Sequence, residues 1–181
     1  MAAIVASDIV YRFTTTSGSA GDSTAGAAAT SLGKYASTSA WSGGTLHDLF
    51  DAISGAENAA SQVDYRGLAV LNNNAANTAF SCSAYLSAET AGGASIAIGA
   101  DTTAASAKGS ASAQMLQIAS DTTAPSGVSF SSPTTDGSGI SMGDIAVANV
   151  KGIWIRRTAA NTSALSADGF TLGFACDTGS A

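Results

Sequence analysis

The chain has 181 residues, with 13 acidic side chains against seven basic ones, one histidine and a net charge of −6. Only 11% of residues are charged and 7% aromatic, so Ala, Ser, Thr and Gly carry much of the sequence, including a large part of its 45% hydrophobic fraction. The dispersed acidic pattern excludes a direct nucleic-acid surface, which needs clustered positive charge, and no apolar run approaches the length of a bilayer span.

Alanine removes little area from water. At roughly 25 cal/mol per Å² of apolar surface, such a core stabilises less than a Leu-rich one of equal length, which predicts packing against neighbouring subunits. No basic segment followed by an apolar one opens the chain, so synthesis and initial folding are expected in the cytoplasm.

In chain order, Ile4 to Phe13 alternates as a first strand, with Ile9, Tyr11 and Phe13 on one face. Thr14 to Lys34 is rich in Ser, Gly, Ala and Thr and offers few side chains to bury. Such a segment does not offset its own ordering entropy, so an extended N-terminal arm, ordered only by docking on another surface, is expected. After Trp41-Ser42-Gly43-Gly44, Thr45 is placed to cap a short amphipathic helix. Its apolar stripe is Leu46, Leu49, Phe50 and Ile53, and Gly55 closes it.

From Ala59 the pattern turns to short strands between polar turns: Tyr65 to Leu71, Ala79 to Leu86, Ser95 to Ala100, Gln114 to Ala119, Gly127 to Ser131 and Ile145 to Val150. The last leads into Val150 to Thr158, where Ile153 and Ile155 oppose Gly152, Trp154 and Arg156. Phe170, Leu172, Phe174 and Cys176 then share one face of a final strand, reached by a hairpin or a connection between sheets. This predicts an all-β fold, an antiparallel, jelly-roll-like β-sandwich with an extended N-terminal arm and one short helix. Residues 1–58 would hold the first strand, arm and helix, and residues 59–181 the sandwich domain.

The chemical constellations are sparse. His47 is the single histidine, placed on the polar side of the expected helix, and no Gly-x-Ser-x-Gly elbow accompanies the many serines. Glu57 and Glu89 are the only glutamates, and several aspartates stand in turn contexts such as Asp136-Gly137 and Asp168-Gly169. No catalytic residue, metal site or cofactor is expected. Cys82 and Cys176 both fall on the apolar phase of alternating runs and read as buried thiols. A disulfide between neighbouring strands is the alternative, and it requires an oxidising history. Arg156-Arg157 is the most pointed feature: on a strand the two guanidinia face opposite sides. Either one snorkels while the other is solvated, or one pairs with a carboxylate across a subunit interface.

Several groups of residues carry a resemblance. They are Trp41-Ser-Gly-Gly with Leu46 and Leu49-Phe50-Asp51, Gly55-Ala-Glu-Asn58, Asp64-Tyr-Arg66, Gly92 to Ile98, Ala124 to Gly127, Ile153 to Thr158 and Asp168 to Leu172. Over roughly Trp41 to Asp177 the chain resembles small virion structural proteins of tailed bacteriophages, of the kind that decorate or cement the capsid shell. The resemblance implies a non-enzymatic, multi-copy virion protein bound outside a shell and partnered by the major capsid protein and by itself, as a homotrimer. Tyr35, Trp41, Arg156 and Arg157 are the expected interface residues. Another virion component (tail, baseplate or fibre) and a carbohydrate-binding receptor-recognition module are the alternatives.

Overall fold

The computed structural model describes residues 3–18, 22–163, 165 and 167–177. Among these residues nine strands form two antiparallel sheets: β1 Ile9–Thr15, β2 Tyr35–Ala40, β3 Val63–Asn72, β4 Ala79–Glu89, β5 Ser95–Ala100, β6 Ser106–Ala107, β7 Ile140–Ile145, β8 Asn149–Thr158 and β9 Phe170–Asp177. The first sheet has the order β2-β1-β3-β8-β5, with β6 continuing the β5 side of β8, and the second has the order β7-β4-β9. From β3 onward the chain repeatedly crosses between sheets. The expected all-β sandwich is the fold, and β8 and β9 are joined across the two sheets, not as a hairpin.

Alternation decides which side chains meet. Leu68 and Val70 of β3, Ile96 and Ile98 of β5 and Ile153 and Ile155 of β8 point inward against Cys82, Ala84 and Leu86 of β4, with Met142 and Ile145 of β7. The opposite phase of the same strands is buried too. Trp154 packs with Met115 and Ile118, and Leu71 and Val150 pack with Ala36 and Ala69. Strands covered on both faces read as nearly continuous apolar runs, which is the character of Gly67 to Leu71 and Gly152 to Ile155.

The outer cover comes from the segment expected to be a free arm. That expectation is corrected: β2 pairs with β1, and residues 31–34 run antiparallel to residues 114–118 across the sheet. Lys34 N donates to Leu116 O (3.1 Å), Gln114 N to Lys34 O (2.7 Å) and Ile118 N to Leu32 O (3.0 Å). Thr14, Ser31 and Ser37 are fully buried. Small side chains allow this close approach: a Cβ on Gly33, at φ +88°, would stand 1.8 Å from Leu116 O. Residues 1–58 thus contribute β1 and β2 to the same sheet as β3, β8 and β5.

The expected helix from Thr45 to Gly55 is also corrected. Residues 45–50 form turns and bends, with Gly43, Gly44 and His47 all at positive φ. Leu49 and Phe50 are buried while Leu46 is 62% exposed, so the stripe does not face one side. The α-helix among the described residues is α1, Gly55–Ala59, one turn long. Ser54 caps it: its hydroxyl accepts from Glu57 N (3.3 Å) and its own N donates to Glu57 Oε2 (2.6 Å), a capping box. Gly55 opens this helix instead of closing one.

Two expected strands reduce to single bridges, Gly33 with Gln117 and Ile98 with Ser131. Side chains hold these segments in place of a ladder. Asp101, buried, accepts from Trp154 Nε1 (2.7 Å), Leu116 N (3.0 Å) and Thr103 N (2.7 Å). Gln114 accepts from Ala36 N (2.7 Å) and donates to Ala107 O (2.5 Å). The expected run from Ile145 to Val150 is broken at residues 146–148, a turn with Ala148 at φ +58° that carries the chain from one sheet to the other.

Candidate interaction surface

The loop from Trp41 to Ser54 rises from the end of β2 and is tied down at both ends. Trp41 N donates to Tyr11 O (2.8 Å). Its indole stacks on Phe170 (centroids 6.1 Å apart, 26° between planes) and meets Tyr11 edge-on (5.9 Å, 81°). At the other end Arg157 reaches up from β8. Its Nε and Nη2 donate to Asp64 Oδ2 (3.2 and 2.7 Å), and its Nη1 donates to Asp51 O (2.5 Å). The guanidinium also lies 4.7 Å from the Phe50 ring centroid.

Register explains the pair, because Asp64 of β3 stands directly opposite Arg157 of β8. Both side chains are buried, so each compensates the desolvated charge of the other. Removing either leaves an unpaired charge and loosens the loop bound through Asp51.

A second wall faces this loop. Thr90 N donates to Gly169 O (2.9 Å), Ala94 N to Asp168 Oδ2 (2.7 Å) and Asn58 Nδ2 to Thr162 O (2.8 Å). Between the walls is a cleft of about 960 Å³, floored by Tyr11, Ile96, Phe170 and Leu172. Leu46 stands on one lip and Leu165 on the other, 62% and 47% exposed. Two of the three large hydrophobic side chains exposed among the described residues therefore flank one opening, the arrangement expected of a contact site.

Two buried polar atoms beside the cleft have no hydrogen-bond partner among the described residues, the Tyr11 hydroxyl and Trp41 Nε1. Burial, and secondarily the charge of Tyr85, pushes the Tyr11 phenol above its ordinary range. The neutral Tyr11 hydroxyl and the indole N–H are both donors without an acceptor. The apolar region continues beyond the cleft. The three-stranded sheet leaves Ile9, Tyr11 and Phe13 of β1 and Phe170, Leu172 and Phe174 of β9 half-buried.

Of the four residues singled out from sequence, the fold brings Trp41 and Arg157 to this cleft. Arg157 has its carboxylate partners within its own chain. Tyr35 lies on β2 beneath the Lys34 ammonium (5.2 Å), and Arg156 lies over Phe130 (5.3 Å) on the outer face. Sequence reasoning missed Leu165, Phe170 and Asp51 as partners in one site. Phe50-Asp51 adjoining Trp41-Ser-Gly-Gly was the available signal, and reading it as helix concealed it.

Comparison with known proteins finds no matching family model, no similar curated protein and no similar solved structure.

Proposed function

We propose that this chain is a non-enzymatic structural protein of a phage virion, bound to the outside of the capsid as a decoration or cement protein. The observation that carries the reading is the apolar-lipped cleft, rigidly braced by Arg157 and flanked by half-covered strands. It presents two exposed leucines above half-buried aromatic and aliphatic side chains, with two unpartnered donors buried beside them. The resemblance of Trp41 to Asp177 to such proteins supports the same reading. The partners are the major capsid protein and further copies of the chain, as a homotrimer. The test is to add purified protein to particles assembled without it. Co-sedimentation that saturates, and that Leu46→Asp with Leu165→Asp abolishes, is expected.

A second reading has its own observation. Trp41, Asp48, Asp51, Asn58, Asp168 and Phe170 line one cleft, the mixture of rings and polar groups by which carbohydrate is held. Saturable binding to a cell-surface polysaccharide, with no binding to shells, would select this receptor-recognition module instead.

A further inference from the structure

Cys82 and Cys176 are free thiols, the first buried and the second half-buried. They lie on neighbouring strands of the second sheet. Phe80 pairs with Asp177 and Ser83 with Ala175, so Ser81 and Cys82 together face the single residue Cys176. This is a β-bulge: Ser81, at φ +48° and exposed, turns outward, leaving Cys82 directed inward with Cys176 in the same apolar cluster. Each thiol acts on the titration of the other, and Cys82 Sγ donates to Ala79 O (3.4 Å). Opposed residues of an antiparallel pair have Cα atoms about 4.5–5.5 Å apart, within the roughly 4.4–6.8 Å that a disulfide spans.

We propose that Cys82 and Cys176 are a reversible dithiol, closed to an intrachain disulfide when the protein leaves a reducing compartment. Cys176, the less buried of the two, is the entry point. Its thiolate attacks one sulfur of a small disulfide such as oxidised glutathione, forming a mixed disulfide and releasing one glutathione thiol. The Cys82 thiolate then attacks the Cys176 sulfur, the cross-strand bond forms and the second glutathione leaves. Two protein thiols are oxidised and one glutathione disulfide is reduced to two thiols. Burial raises both thiol pKa values, that of Cys82 to about 12, so the exchange is slow at neutral pH and accelerates with alkali. The bond ties edge strand β9 to β4 and closes a long loop of the chain, which raises the melting temperature.

The test uses the folded full-length protein, incubated with oxidised glutathione, then denatured and labelled with a thiol-alkylating reagent before mass measurement. Two labels before oxidation and none after, with monomer mobility on a non-reducing gel and a melting temperature that rises reversibly, are expected. Cys82→Ser should stop at one glutathione adduct on Cys176, and Cys176→Ser should leave Cys82 unmodified. Two labels persisting after oxidation, a stable mixed disulfide in the unsubstituted protein, or a disulfide-linked dimer would each overturn the proposal.

Discussion

On its inner face the first sheet meets a second sheet, and the contact is made by Leu68, Val70, Ile96, Ile98, Ile153 and Ile155 against the strands opposite. On its outer face the same strands meet Ala36 of β2 and residues 31–34 and 114–130, the last two segments paired with their neighbours through isolated bridges instead of a ladder. The inner cover rests mainly on apolar area, with the buried Asn72 donating across to Ile145 O (2.8 Å). The outer cover sets a few large groups, Trp154, Met115 and Ile118, among buried polar side chains that satisfy backbone donors and acceptors. A layer without secondary structure must place its backbone hydrogen bonds somewhere, and here Asp101, Gln114, Thr14 and Ser31 receive or supply them.

If the outer cover is part of the fold, its removal should be more damaging than any single substitution. Deleting Thr14–Ala40 removes β2, strips the partners of residues 114–118 and exposes Trp154, so no cooperative unfolding transition is expected in a urea melt. A truncated chain that melts like the full one would reduce the outer cover to an appendage.

Single substitutions refine the comparison. Trp154→Ala should destabilise by about 3–5 kcal/mol, in the range expected for a wholly buried aromatic residue and as much as Leu68→Ala or more. Asp101→Ala should cost about 3 kcal/mol, because it strands the indole N–H and two backbone amides. Hydrogen exchange should then quicken around Leu116 while the inner-face strands keep their protection.

Much of the inner face was legible in the sequence because its strands alternate and carry β-branched side chains. Val63–Asn72 and Asn149–Thr158 declare themselves by residues such as Val70, Ile153 and Ile155. The outer cover was not legible, since Ser, Gly, Ala and Thr show no period and their partners are backbone atoms far away in sequence. The cleft was half legible. Trp41 and Arg157 stood out by type, whereas Leu46, Leu49, Phe50 and Ile53 fit a helical spacing by coincidence. The competing signal, Ser54 followed by Glu57, marks the true helix start and gives only one turn.

The smallest predicted effect concerns the inner face. Cys82→Ala should cost about 1 kcal/mol near neutral pH, the loss of one small buried group. Its alkaline behaviour is more telling. The folded thiol has its pKa raised from 9.0 to about 12, so this group's contribution to stability is fully present below pH 9 and is lost as pH rises from there toward 12. Urea midpoints measured across that window should fall less steeply in Cys82→Ala than in the unsubstituted chain.

The most direct test of the function proposed from the cleft is a binding titration on shells assembled without this protein, with unsubstituted chain and the Leu46→Asp/Leu165→Asp variant in parallel. Both leucines are exposed, so the variant should melt within about 0.5 kcal/mol of the original and any loss of binding belongs to the surface. Saturation at a copy number matching the repeating positions of the shell lattice is expected, with at least tenfold weaker binding by the variant. Equal binding by the two proteins would contradict the role of the cleft, and no binding by the unsubstituted chain would contradict the assignment to the shell.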